Sequence, residues 1–588
     1  MQSSIFLGKP LKVLGLCCAL GAPTACTGVV SPNGGASEAS GASAGASAGP
    51  GVGMAGNTAQ TPGGGANGVS GGAAGVGSLP PFSPAPEAMH RLTKTQFQNS
   101  VKALLGNVTI GELDSDSYIG GFATVGAGLV VTSANGVQQY QVAIDAALEQ
   151  VFADSARRSA LVGCEPKTPL DAECARAFVA RFGRLAWRRP LTPAQIDRYS
   201  ALAASAASDL SDSYGGLRWT ASALLQSPYF LYRSERGVPV AGKPDRNQYT
   251  PYELASKLSF YLLNSTPDAA LLDAADSGSL ATPEGLNAQV ERLLATPQGH
   301  EAVVNFAREL MRLDTLPTLA KDANAYPKFT GTLASAMGAE FLRLWENAAF
   351  ESDTNALDLF TTQQTFVNKE LAALYGLDTS SIGVNGLTPA VFPASQGRSG
   401  LLTSAAMMSL RASQLEGSPT LRGRLIRERF QCMTIPDPPP GIVTTLPTTG
   451  PGVFTKRQKM VTHEATPTCG ACHGLMDPLG FALEHFDAVG AYRETDSGLA
   501  IDASGTLEDQ PFTSALELGK ILAASPATAT CLVQNMYVYA VGHAVPASEQ
   551  ATVQALSASF AASGNRLRAL ITQVVTSDGF NFTSPESP

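Results

Sequence analysis

The chain has 588 residues, 44% of them hydrophobic and only 15% charged, and it carries a net charge of −9. That length holds several domains with sizeable cores. The acidic balance and the lack of a long basic run exclude the Lys/Arg footprint of a nucleic-acid binder.

Lys9 and Lys12 precede an apolar stretch over residues 13–22, the shape of a secretory signal too short to span a bilayer. Pro23-Thr24-Ala25-Cys26 reads as a degenerate lipobox, with Ala25 in place and Pro23 where leucine is usual. Residues 1–25 are expected to be the signal peptide, leaving Cys26 as a lipidated N-terminus. Ordinary cleavage without a lipid is the alternative. The protein is thus expected to be exported, to the periplasm or the cell surface, and anchored to a membrane through Cys26. No later stretch is long and apolar enough to predict a spanning helix.

Residues 26–85 are expected to form a disordered tether, since 27–78 are mostly Gly, Ala and Ser and cannot bury enough apolar area to offset ordering entropy. The tether contains Gly41-Ala42-Ser43-Ala44-Gly45, but a nucleophile elbow needs a strand before it and a helix after it, and this segment offers neither.

The folded body is predicted to begin near Pro86. Thr93 and Gln96 make a capping box ahead of Phe97, Val101, Leu104 and Leu105 at helical spacing. A second helix starts near Cys174, carries Phe178, Phe182 and Leu185, and stops at Arg189-Pro190. Thr192-Pro193 caps the next one. Thr250-Pro251-Tyr252-Glu253 repeats the device before Leu254, Leu258 and Leu262, and Thr296-Pro297 precedes Val303, Phe306 and Leu310. Further helical patterns cover 333–345, 371–374 and 421–430, and a Pro/Thr-rich strap follows at 435–451. Strand-like alternation is scarce. The predicted class is mainly α, a multi-domain helical protein.

Cys469-Gly470-Ala471-Cys472-His473 is a C-x-x-C-H, which predicts a cytochrome c-like haem module toward the C-terminus of the helical body. Two thiols at this spacing add to the two vinyl groups of one haem, and the next residue sets an imidazole under the iron. Cys469 and Cys472 are the predicted attachment points of one covalent haem c, and His473 its proximal ligand. His463 is the first candidate for the sixth ligand, ahead of Met476, His485, Met536 and His543. A vacant sixth position would favour peroxide or oxygen chemistry. The rival cofactor is zinc on His463, Cys469, Cys472 and His485; a redox dithiol lacks its βαβ context. Of the charged residues around the motif, Asp477, Glu484, Asp487 and Asp502 read as caps, turns and surface ion pairs, while Arg493 is assigned to a haem propionate. Two disulfides are expected, Cys164–Cys174 pinning a helix start and Cys432–Cys531 stapling the two sides of the haem module, with free buried thiols as the alternative.

Taken together, these motifs resemble a family of exported bacterial proteins built from five successive domains of unknown function, the fourth holding a cytochrome-like C-x-x-C-H. Arg91-Leu92-Thr93 with Phe97-Gln98-Asn99 resembles the first module, and Phe182 with Trp187-Arg188-Arg189-Pro190-Leu191-Thr192 the second. Ser227-Pro228-Tyr229-Phe230-Leu231-Tyr232-Arg233, Glu253-Leu254-Ala255-Ser256-Lys257-Leu258-Ser259 and Thr365-Phe366-Val367-Asn368 resemble the third. Ser418-Pro419-Thr420 with Arg422-Gly423 opens the fourth, which continues through His463, the C-x-x-C-H, Asp477-Pro478, Gly480-Phe481, Leu483-Glu484, Phe486-Asp487, Gly490 and Tyr492-Arg493. Asp502, Gly505, Cys531 and Tyr539 resemble the fifth, where Gly542-His543 departs from the usual Gly-Arg. The resemblance implies modules at about 86–155, 156–225, 226–385, 395–497 and 498–588, supports His463, and supplies no reaction. The expected function is electron transfer to an unidentified redox partner, or the haem part of a redox enzyme. A zinc- or disulfide-stabilised surface binding protein is the alternative.

Overall fold

A computed structural model describes residues 80–86, 88–383, 386–437, 452–464 and 467–585, without the side chains of 462–464 and 467–468. The chain divides into two units, residues 1–75 and 76–588, and every described residue belongs to the second. The expected signal peptide, Cys26, the tether up to residue 79 and the 438–451 part of the Pro/Thr-rich strap lie outside the described residues.

The described body is mainly α, and its helices begin where the caps predict. Helix α1 (Lys94–Leu105) starts on the Thr93/Gln96 capping box. Helix α2 (Ala172–Trp187) opens on Asp171, whose carboxylate accepts from the Cys174 amide. Capping boxes at Thr192/Gln195 and Thr250/Glu253 start α3 (Pro193–Leu210) and α4 (Pro251–Leu262), each with proline in the first turn. Thr296 and Thr330 cap α5 (Pro297–Met311) and α6 (Gly331–Glu346), and Asn368 caps α7 (Lys369–Tyr375). The pattern at 421–430 resolves into α8 (Pro419–Leu425) and a π-turn over Ile426–Phe430. Then follow α9 (Lys456–Glu464), α10 (Pro467–Phe481) and α11 (Pro526–Val541).

Several sequence motifs turn out to be buried polar joints. Helix α2 ends one residue before Arg188, which adopts the left-handed region at φ 61°. The Arg188 guanidinium is buried and donates to the carbonyls of Tyr229, Phe230 and Tyr232. Lys257 of α4 lies buried beside Glu235 at 3.8 Å and over the Phe580 ring at 5.1 Å. Glu340 of α6 is buried and accepts from the hydroxyls of Thr365 and Tyr375.

Strands are short; some pair as local hairpins, while others join segments far apart in sequence. β1 (Met89–Arg91) pairs antiparallel with β2 (Tyr232–Ser234). β3 (Val238–Val240) and β4 (Lys243–Gln248) form a three-stranded sheet with β5 (Phe582–Thr583), and Pro86 bridges Ser584 beside it. The two ends of the described body are thus stitched together. Two apolar cores lie beneath: a smaller one from residues 92–260 and a larger one from residues 122–580. The larger core takes in Met407, Leu425, Leu479 and Leu483, which seat the helix carrying the C-x-x-C-H motif.

Both expected disulfides are formed. Cys164–Cys174 has its Cα atoms 5.8 Å apart, and Cys432–Cys531 has them 5.3 Å apart across 99 residues of sequence.

Candidate functional site

Cys469, Cys472 and His473 sit on α10, at positions i, i+3 and i+4. With 100° per residue, these three side chains leave the helix within an arc of roughly 100°. Both cysteines are half-buried free thiols. Helical geometry keeps the Cβ atoms of an i,i+3 pair about 5–6 Å apart, beyond the ~3.8 Å span of a disulfide.

Helix α10 is held against α8 at two glycines. A Cβ on Gly423 would stand 1.8 Å from the Met476 carbonyl oxygen, and one on Gly480 would stand 1.9 Å from that of Pro419. Only hydrogen fits between the two backbones, so the helices lock in one register. Arg427 donates from Nε to the Leu475 carbonyl, and Arg457 stacks over Phe481 at 4.7 Å. Leu479 and Phe481 are buried below.

The segment after α10 folds around two buried arginines. Arg422, fully buried, donates to the carbonyls of Leu483, Phe486 and Asp487 and lies 3.6 Å from Glu484. Burial holds the Arg422 guanidinium below its ordinary value, and the Glu484 charge opposes that. Arg398, equally buried, donates to the Thr403 and Gly490 carbonyls and stacks on Tyr375 and Phe486.

His473 is oriented by a partner that the linear motif does not reveal. Its Nδ1 lies 2.8 Å from Oδ2 of Asp477, one turn further along α10. The sequence pattern places Asp477 among caps and surface ion pairs, yet it is 0% exposed. Its other oxygen, Oδ1, has no hydrogen-bond partner among the described residues. The i,i+4 spacing of His473 and Asp477 is a signal the sequence carries; burial of the carboxylate is not. Two thiols and one imidazole held at Nδ1 by a buried carboxylate are a donor set that would suit a covalent haem.

The remaining candidates are dispersed. The side chain of His463 lies outside the described residues; its backbone is near the C-terminal end of α9. His485 donates through Nδ1 to the Arg493 carbonyl at 2.9 Å and stacks on Tyr492. Met476 is buried on α10 itself, and Met536 is in the larger core. His543 donates to the Ala544 carbonyl and lies 3.9 Å from Glu549, with its pKa lowered by burial. Arg493 is bound to Glu484 at 2.9 Å and to Asp496 at 3.3 Å. Among the described residues, no three His, Cys, Asp or Glu side chains form a metal cage.

Five families of proteins of unknown function match the chain in succession. They are DUF1587 over residues 90–153, DUF1595 over 174–235, DUF1592 over 249–377, DUF1588 over 398–496 and DUF1585 over 508–580. The chain carries five successive domains of unknown function. The C-x-x-C-H motif, both buried arginines and the α8–α10 contact all lie in the DUF1588 domain, and the Cys432–Cys531 disulfide ties that domain to the DUF1585 domain. No curated protein and no solved structure matches the chain.

Proposed function

We propose that this protein is an exported, lipid-anchored monohaem c-type protein that transfers electrons or forms the haem part of a redox enzyme. One observation carries the reading: Cys469 and Cys472 remain thiols on the same helical face as an imidazole held at Nδ1, while the four other body cysteines are disulfide-bonded. Disulfides point to an oxidising compartment, where two adjacent unpaired thiols are exposed to oxidation unless another bond claims them. The label of the DUF1588 family, PSCyt3, agrees with a cytochrome-like domain.

Bound haem supplies one-electron exchange at its iron. The chain's own part is attachment and orientation. The Cys469 and Cys472 sulfurs would hold the haem as thioethers and His473 would offer Nε2 to its iron, while Asp477 holds Nδ1. His463, in the helix just before, is the proposed sixth ligand. Arg493 would be the propionate partner through Nη1, the arm that meets Asp496 at 3.3 Å, while Nε and Nη2 are held by Glu484.

The test is a pyridine haemochrome spectrum with intact-mass analysis of protein exported from cells with working haem-attachment machinery. A c-type α-band and the added mass of one haem are expected, both lost in Cys469→Ser/Cys472→Ser. A colourless protein holding one zinc would replace this reading with the metal-stabilised binding protein.

A further inference from the structure

The motif accounts for two thiols and one imidazole of α10 but not for Asp477. A carboxylate withdrawn from water needs several hydrogen bonds or a nearby cation to offset its lost hydration. At 0% exposure, Asp477 has one bond, to His473 Nδ1, and an Oδ1 without a hydrogen-bond partner among the described residues. A helix-surface role requires none of this burial. Positive charge placed at the far nitrogen of the His473 ring would supply the missing compensation, because it polarises Nδ1–H toward the carboxylate.

We propose that Asp477 is the positioning and tuning residue of the axial ligand: it turns Nε2 of His473 toward the iron, gives the ring anionic character, and so favours the ferric over the ferrous state. This inference rests on the haem reading above. It makes the DUF1588 domain a low-potential centre compared with one whose histidine bonds a neutral carbonyl.

Redox titration of the full-length holoprotein, alongside Asp477→Asn and Asp477→Glu, tests it. Asparagine keeps an acceptor oxygen for Nδ1–H and removes the charge. Asp477→Asn is expected to move the ferric/ferrous equilibrium at least tenfold toward ferrous, an upward shift of ~59 mV for one electron. Asp477→Glu should return most of that shift, and failure to do so overturns the assignment to charge. A haem-loaded Asp477→Asn with the wild-type midpoint overturns the inference and leaves the haem reading standing. A wild-type protein without a c-type haemochrome overturns both. Should Asp477→Asn fail to accumulate, the wild-type iron–imidazole stretch decides, recorded by resonance Raman after photolysis of the ferrous carbonyl adduct. A frequency above that of a neutral imidazole ligand supports the inference, and the neutral frequency overturns it.

Discussion

Two glycines of one helix should respond in opposite ways to the same added methyl group. Gly474 of α10 is exposed, with nothing within 4 Å of where a Cβ would sit, whereas the corresponding atom on Gly480 would stand 1.9 Å from the Pro419 carbonyl oxygen. Carbon–oxygen contacts of this kind settle at about 3.3 Å or more, so Gly480→Ala must push α8 and α10 apart by roughly 1.4 Å. The obstacle is backbone, which cannot rotate away. Overpacking of this order costs ~3 kcal/mol, and the gain in helix propensity returns ~1 kcal/mol, for a net loss of about 2 kcal/mol. Gly474→Ala takes the propensity gain alone, up to ~1 kcal/mol. Hydrogen exchange of peptides covering α8 and α10 reads this local stability. Exchange should quicken about thirtyfold in Gly480→Ala and slow about fivefold in Gly474→Ala. Adding Gly423→Ala to Gly480→Ala should cost less than the sum of the two, because one displacement relieves both clashes. Equal exchange in the two single variants would refute the close-contact reasoning.

Three further outcomes follow from the same structure. Replacing Cys432 and Cys531 by serine should cost ~4.7 kcal/mol for a loop of 99 residues, against ~2.7 kcal/mol for the Cys164/Cys174 pair with a separation of 10, and denaturant unfolding should rank them in that order. Burial raises the pKa of Glu340 to about 7, and likewise that of Glu309. Between pH 4.5 and 7 the unfolded glutamates release protons that the folded ones keep, so stability should fall across that window by up to ~3 kcal/mol per group and level off above it. Glu340→Gln/Glu309→Gln should flatten the fall in denaturant midpoints, and an unchanged slope would count against the burial effect. Arg398→Lys removes the fork shared by the Thr403 and Gly490 carbonyls, and should lower the thermal midpoint by more than Arg176→Lys, whose pair with Asp197 is exposed.

Local chemistry was legible without a fold. Thr93 with Gln96 and Thr250 with Glu253 close their hydrogen bonds within four residues, so the helix starts could be read directly from the sequence. The C-x-x-C-H constellation is local for the same reason: one helix contains all of it within five residues. What the sequence could not decide is which polar residues are buried. Asp477, Arg398 and Arg422 look like surface charges in a linear chain, yet all three are fully buried, and the two arginines bond to segments distant in sequence. The pairing of β1 with β2 and of Pro86 with Ser584 is equally non-local, since strand edges are matched by whichever backbone the core brings alongside. Periodicity and capping report on neighbours a few residues apart; desolvation depends on everything packed around a group, and that is decided only when α8, α10 and the tail after α10 close on one another.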